Sequence, residues 1–148
     1  MERPRKTYWF PMILLTLVLL LGIDLLAGLL LIPVDLHDFR TVHPYHHHGL
    51  LPMRQQRTAW GPINYEISTN SLGFRDFQSR DIPMQSDNYR ILLMGDSHTE
   101  GVGVEYENSF AGILQQNFAA DGIEVLNASA VSYSPKLYYL KTRYLLEE

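Results

Sequence analysis

A long apolar run near the N-terminus is the strongest constraint on this chain. Residues 9–34 contain a single ionisable side chain, Asp24. About 20 apolar residues are enough for a helix to cross the hydrocarbon core of a bilayer. A secretory signal peptide has a shorter apolar segment of about 7–15 residues, followed by a small-residue cleavage site that this sequence lacks. The run therefore predicts an uncleaved, single-pass membrane anchor.

The charges on either side of this run predict its orientation. Three basic residues precede it, and two acidic residues and one arginine follow it: Arg3, Arg5, Lys6, Asp35, Asp38 and Arg40. The positive-inside rule then places the N-terminus in the cytoplasm and the rest of the chain outside. We interpret Asp24 as a protonated or snorkelling acid of a lone anchor, with pairing to another helix as the alternative.

Composition narrows the function classes of the remaining chain. The 148 residues carry a formal net charge of −4, and no basic stripe is present to neutralise nucleic-acid phosphates. The absence of cysteine excludes a disulfide framework, a CxxC redox site and a cysteine-ligated zinc. The apolar run predicts a membrane partner, and the charge predicts no nucleic-acid partner.

Residues 36–88 are predicted to form an extracytoplasmic linker between the anchor segment, residues 1–35, and a folded domain. Prolines and glycines punctuate the segment, which contains short strand candidates such as residues 65–69. Four aromatic side chains are expected to place the linker against the neighbouring domain surface: Trp60, Tyr65, Phe74 and Phe77.

Four histidines cluster within this segment: His43, His46, His47 and His48. Imidazole is a ligand for zinc, copper and nickel. However, successive side chains of an extended segment point to opposite sides, and no acidic residue lies between His43 and Glu66. The sequence therefore predicts an exposed or packed histidine loop rather than a metal site, and leaves the role of the cluster open.

From residue 90 the pattern changes to alternating strands and helices. The apolar runs 91–94 and 123–126 predict two buried parallel strands. A helix over 109–119 is expected between them, and Ser134-Pro135 predicts the start of another. Residues 89–148 thus predict the opening strand–helix–strand–helix portion of an α/β domain. Because two strands do not form a stable sheet alone, we expect a fragment of a longer protein, with a partner that supplies the rest of the domain as the alternative.

Two local interpretations accompany this prediction. Asn108 is expected to cap the helix over 109–119, which would turn one apolar face towards the core: Phe110, Ile113, Leu114 and Phe118. Asn127 fits the glycosylation sequon, but it lies at a strand end. We therefore interpret Asn127 as a structural residue that braces the neighbouring loop.

The loop after the first strand reads Gly95-Asp-Ser-His-Thr-Glu-Gly101 and lies where open α/β sheets place their ligands. A TNSLGFRD segment precedes it at 69–76, and VLNASAVSYS follows at 125–134. Together these motifs resemble the SGNH (GDSL-like) hydrolase family in its membrane-anchored bacterial form, over about residues 64–148. The resemblance implies a three-layer α/β/α, flavodoxin-like fold and serine-based acyl transfer, usually ester hydrolysis or deacetylation.

The resemblance also implies roles for three residues. Ser97 matches the nucleophile and one oxyanion N–H donor, and Asp96 matches the acid that shapes the motif turn. Ser132 occupies the position of a glycine whose N–H is a second oxyanion donor. No histidine, asparagine or aspartate follows Ser134, although the family's activating Asp and His lie downstream. A serine is a poor nucleophile without an adjacent base, and His98 at the next position points away, so we expect this chain alone to be inactive.

The leading hypothesis is an extracytoplasmic acyl hydrolase of the bacterial inner (plasma) membrane, acting on an acylated envelope glycan or lipid. It implies no cofactor and no metal. Two alternatives stay open. One is an O-acetyltransferase that uses the same serine on a surface polysaccharide, and the other is a catalytically silent, membrane-tethered binding protein.

Overall fold

The computed structural model describes residues 9–31 and 39–147, which fall into two compact units, Met1–Leu36 and His37–Glu148. In the first unit, helix α1 spans Trp9–Leu31 and exposes large apolar side chains all round. This helix is long and apolar enough to cross a membrane, and Asp24 is exposed on it. The charges used to predict orientation lie outside the described residues, apart from Arg40: Arg3, Arg5, Lys6, Asp35 and Asp38.

The second unit opens with two antiparallel hairpins, where the sequence predicted a linker. Strand β1 (Arg40–His43) pairs with β2 (His47–Leu50), and β3 (Gln55–Trp60) pairs with β4 (Ile63–Ser68). The structure differs from the prediction because this segment carries its own core. Phe39, Leu50 and Ile67 form a buried apolar cluster that holds the two hairpins together.

Residues 69–88 contain no helix or strand, yet they hold buried side chains. The backbone of Arg75 forms bridges with both Thr69 and Asn127. Phe74 and Ile82 pack with two residues at the end of the parallel sheet, Leu126 and Ala128. The segment that carries the TNSLGFRD motif therefore ties the hairpins to the α/β portion of the unit.

The α/β portion follows the predicted order of elements. Strand β5 (Arg90–Leu93) pairs in parallel with β6 (Glu124–Asn127). Between them lie α2 (Ser97–Glu100), a 3-10 turn (Tyr106–Asn108) and α3 (Phe110–Ala119), and α4 (Pro135–Glu147) follows β6. The mixed α/β class is confirmed. The three-layer flavodoxin-like arrangement remains a prediction, since the parallel sheet within residues 39–147 has two strands.

Helix α3 corrects two local predictions. Its N-cap is Ser109 rather than the predicted Asn108. The Ser109 Oγ accepts a hydrogen bond from the Gly112 N–H at 3.1 Å. Its buried side carries Ala111 and Gly112, whereas Phe110 is 48% exposed and Ile113 is 47% exposed. A Cβ on Gly112 would collide with the Tyr106 carbonyl. The helix therefore packs closely through its smallest residues, which turns part of the expected apolar face outward.

Candidate active site

Ser97 is the first residue of α2, the single helical turn that follows β5. The Asp96 carboxylate caps this turn by accepting a hydrogen bond from the His98 N–H at 3.0 Å. Gly101 ends the turn with a φ of 81° and donates its N–H to the Ser97 carbonyl at 3.0 Å. Asp96 thus shapes the turn, and Ser97 lies at the carboxyl end of a parallel strand, where α/β sheets place their ligands.

Glycine at position 95 is required by packing. A Cβ there would lie well inside van der Waals contact of the Thr99 side chain. The Gly95 carbonyl also accepts the Ala130 N–H at 3.1 Å, which joins this turn to the loop after β6. The first residue of the motif therefore allows α2 to fold back over the end of β5.

Ser132 lies in the loop that connects β6 to α4. Its φ is 63°, in the left-handed region that glycine adopts most readily. Asn127, at the end of β6, donates from Nδ2 to the Thr99 carbonyl at 2.8 Å. This bond confirms that Asn127 braces the neighbouring loop, and it holds the Ser132 loop beside the Ser97 turn.

The backbone N–H groups of Ser97 and Ser132 share one property. Within residues 39–147 neither N–H donates to a protein acceptor, and the Ser97 hydroxyl also has no hydrogen-bond partner there. By contrast, the N–H groups of Val131 and Tyr133, on either side of Ser132, are both bonded. Within residues 39–147, two adjoining loops therefore each carry one amide without a protein acceptor.

A buried carboxylate and a buried guanidinium support these loops, and sequence reasoning missed both. Glu100 is fully buried; it receives a bidentate ion pair from Arg40, and the Val131 N–H donates to it at 2.6 Å. Arg75 is 1% exposed and donates to the Glu100, Gly101 and Val104 carbonyls. Burial lowers the pKa of Arg75, which nearby Glu100 partly opposes.

The histidine cluster forms the β1–β2 hairpin and packs on the Ser132 loop. The Nδ1 of His46 lies 2.8 Å from the Tyr133 hydroxyl, and the Nε2 of His48 lies 2.7 Å from the Val131 carbonyl. The rings of His43 and His46 stack with centroids 3.6 Å apart. Burial, with Lys141 nearby, lowers the pKa of His46 to about 4.

Two observations describe how the histidines are placed. Within the described part of the chain, no group of three or more His, Asp or Glu side chains is arranged to hold a metal ion. No hydrogen bond in residues 39–147 joins a histidine to Ser97. Of the predicted site residues, Asp96 and Ser97 share one turn and Ser132 lies on the adjoining loop. Within residues 39–147, no side chain forms a hydrogen bond with the Ser97 hydroxyl as a base would.

An open groove borders Ser132 on the side of the hairpin. Its volume is about 330 Å³, and its walls are mostly apolar. Six residues line it: Arg40, Thr41, Val42, His48, Val131 and Ser132. The groove offers an apolar group access to the Ser132 loop.

Comparison with known proteins gave no match to a protein-family model, to a curated protein or to a solved structure. The resemblance to the SGNH family therefore rests on the motif residues themselves.

Proposed function

We propose that the protein is a membrane-anchored, SGNH-type serine acyl hydrolase in which Ser97 is the nucleophile. One observation carries the proposal: the N–H groups of Ser97 and Ser132, which have no protein acceptor within residues 39–147, lie on adjoining loops at the carboxyl end of the parallel sheet. Donors of this kind stabilise the charge that develops on a carbonyl oxygen during acyl transfer. The free Ser97 hydroxyl is the group that would attack that carbonyl.

The proposed reaction is the cleavage of an ester or acetyl group. The Ser97 Oγ attacks the carbonyl carbon, its proton passes to a base, and the two amides hold the oxyanion. Collapse of the tetrahedral intermediate releases the alcohol, and water then releases the acid from Ser97. The family resemblance assigns the base to an Asp and His pair that residues 39–147 do not present beside Ser97.

The anchor and the groove support the proposed location and substrate class. Helix α1 is long and apolar enough to cross a membrane, and we place the enzyme on the extracytoplasmic side of the bacterial inner membrane. The largely apolar groove beside Ser132 suits an acyl group. The proposed substrate is an acylated envelope glycan or lipid.

A fluorophosphonate probe tests this proposal directly. Membranes that contain the full chain are incubated with the probe, next to the variants Ser97→Ala and Ser86→Ala. Labelling of the parent and of Ser86→Ala, whose serine is exposed, but not of Ser97→Ala would support the proposal and show that a base reaches Ser97 in this chain. Absence of labelling in folded, membrane-inserted parent protein would contradict the proposal for this chain and support an incomplete or catalytically silent protein. Transfer of acetyl to an added polysaccharide, without release of acetate, would indicate the acetyltransferase.

A further inference from the structure

We propose that Glu100 is a positioning residue that holds the Ser132 amide towards the Ser97 turn. The proposal rests on the proposed function, since it assigns a role within the same oxyanion site. Glu100 belongs to α2, the turn that begins with Ser97. Its side chain reaches across to the loop after β6, so one residue connects the nucleophile turn with the second oxyanion donor.

Both oxygens of the Glu100 carboxylate accept short hydrogen bonds. Its Oε2 accepts the Val131 N–H at 2.6 Å and also lies 3.0 Å from Arg40 Nη1. Its Oε1 accepts from Arg40 Nη2 at 2.6 Å. The side chain of Glu100 is fully buried, so water does not compete for these bonds. Charge-assisted, bidentate pairs of this kind fix orientation more firmly than neutral hydrogen bonds.

The bonded amide is the one directly before Ser132. The Val131 N–H is held by Glu100, and the Tyr133 N–H is held by the Ala130 carbonyl at 3.2 Å. Because peptide units are planar, fixing the amides on both sides restricts the direction of the Ser132 N–H between them. Within residues 39–147, that N–H has no protein acceptor. Glu100 therefore acts on the proposed donor through its neighbour and not by contact with the substrate.

Arg40 is the ion-pair partner of Glu100 in this arrangement. It is the first residue of β1, the first strand after the anchor helix. Its guanidinium compensates the buried charge of Glu100, which would be strongly destabilising if left unpaired. The first hairpin of the second unit thus contributes directly to the arrangement of the candidate active site.

A plain structural ion pair would also explain the Arg40–Glu100 contact, so the test must separate the two roles. Removing both charges avoids an unpaired buried ion. The double variant Arg40→Met/Glu100→Gln keeps an acceptor for the Val131 N–H, whereas Arg40→Met/Glu100→Leu has similar volume and no acceptor. Both are prepared as the full chain in membranes, and thermal unfolding identifies assay temperatures at which each is folded.

The readout is the fluorophosphonate reaction of Ser97, resolved into probe affinity and maximal rate of labelling. We expect the Leu variant to label at least about tenfold more slowly than the Gln variant, with similar probe affinity. Equal labelling rates in the two folded variants would overturn the proposal. If the Leu variant does not fold, Glu100→Asp replaces it, because aspartate keeps the charge on a shorter side chain. We expect the same loss of labelling rate in Glu100→Asp. An unchanged rate would again contradict the positioning role of Glu100.

Amide hydrogen exchange of residues 130–133 tests the role of Glu100 independently of the proposed function. Failure of the parent to label at Ser97 would contradict the hydrolase proposal alone. The exchange measurement then decides the role of Glu100. Faster exchange in the Leu variant than in the Gln variant supports it, and identical exchange overturns it.

Discussion

The imidazole Nδ1 of His46 lies 2.8 Å from the hydroxyl oxygen of Tyr133, a residue 87 positions later in the chain. The Tyr133 hydroxyl donates to the His48 carbonyl, so the proton shared with His46 comes from the imidazole Nδ1. Both side chains are buried. This contact fastens the β1–β2 hairpin to the loop that carries Ser132, and burial of the imidazole favours its neutral form.

Acid is therefore expected to weaken the second unit. Burial lowers the pKa of His46 to about 4, below the ordinary 6.5, and burial also lowers the pKa of His43. Between pH 4 and 6.5 the unfolded chain binds more protons than the folded one, so this contribution is complete above pH 6.5 and is lost as the pH falls towards 4. Urea unfolding of the full chain in detergent should show a decrease in unfolding free energy on the order of 1 kcal/mol.

The variant His46→Gln provides the control for this pH dependence. Glutamine keeps a polar group near Tyr133 but does not titrate in this range. We expect the decrease between pH 6.5 and pH 4 to become shallower in the variant. A pH profile identical to that of the parent would show that His46 does not carry the effect.

Gly95→Ala tests whether packing dictates the first residue of the motif. The added Cβ would collide with the Thr99 side chain, so we expect a loss of unfolding free energy of about 2–3 kcal/mol. Gly49→Ala is the matched control, because a Cβ there meets only His46, at an ordinary 3.5 Å. Urea unfolding midpoints measure both. Partial recovery in Gly95→Ala/Thr99→Gly would locate the collision, and equal midpoints for the two single variants would disprove it.

Local pattern was enough to predict the elements around the motif. The apolar runs led to the parallel strands β5 and β6, and Ser134-Pro135 led to the start of α4 at Pro135. These features depend on residues close together in sequence. The brace made by Asn127 also follows from its place at a strand end.

The remaining contacts depend on partners that are distant in sequence. Arg40 and Glu100 are separated by 60 positions, and no local pattern relates them. The histidines gave no signal for a hairpin, because their partners lie on the Ser132 loop and on α4. Helix α3 kept the expected periodicity, but the close approach at Gly112 decided which side is buried.

Lys141→Met should destabilise the second unit although it preserves the shape of the side chain. Lys141 is 3% exposed, and its Nζ donates to the Ala128 carbonyl at 2.7 Å. Methionine fills the same space but leaves that carbonyl unpaired, at a cost of about 1–3 kcal/mol. Thermal and urea unfolding measure the loss. Lys136→Met, at an exposed position of the same helix, should change stability by less than about 0.5 kcal/mol.

The titration of Lys141 predicts a second effect of Lys141→Met, on the pH dependence of stability. Burial lowers the pKa of Lys141 to about 8 from 10.5, against the opposing effect of Glu100. Between these values the unfolded chain binds more protons, so the contribution of Lys141 makes stability rise with pH across this window. Lys141→Met should lack this rise. An unchanged alkaline profile would show that the lysine remains charged in the folded chain.

Ser132→Gly separates backbone strain from the function of the loop. Ser132 has a φ of 63°, a conformation that costs a non-glycine residue about 1 kcal/mol or more. Glycine removes this cost but loses more entropy on folding, so we expect stability equal to or up to about 1 kcal/mol above that of the parent. The backbone N–H is retained, and removal of the side chain opens the groove beside it. Ser97 labelling should therefore be preserved or faster.

Ser132→Val is the opposing variant. A β-branched residue is strongly disfavoured at positive φ, so we expect the loop to rearrange and to carry the amide away from the Ser97 turn. Labelling should fall at least about tenfold if this N–H is an oxyanion donor. If Ser132→Val labels as fast as Ser132→Gly while amide exchange shows that the loop has rearranged, the Ser132 amide is not part of the oxyanion site.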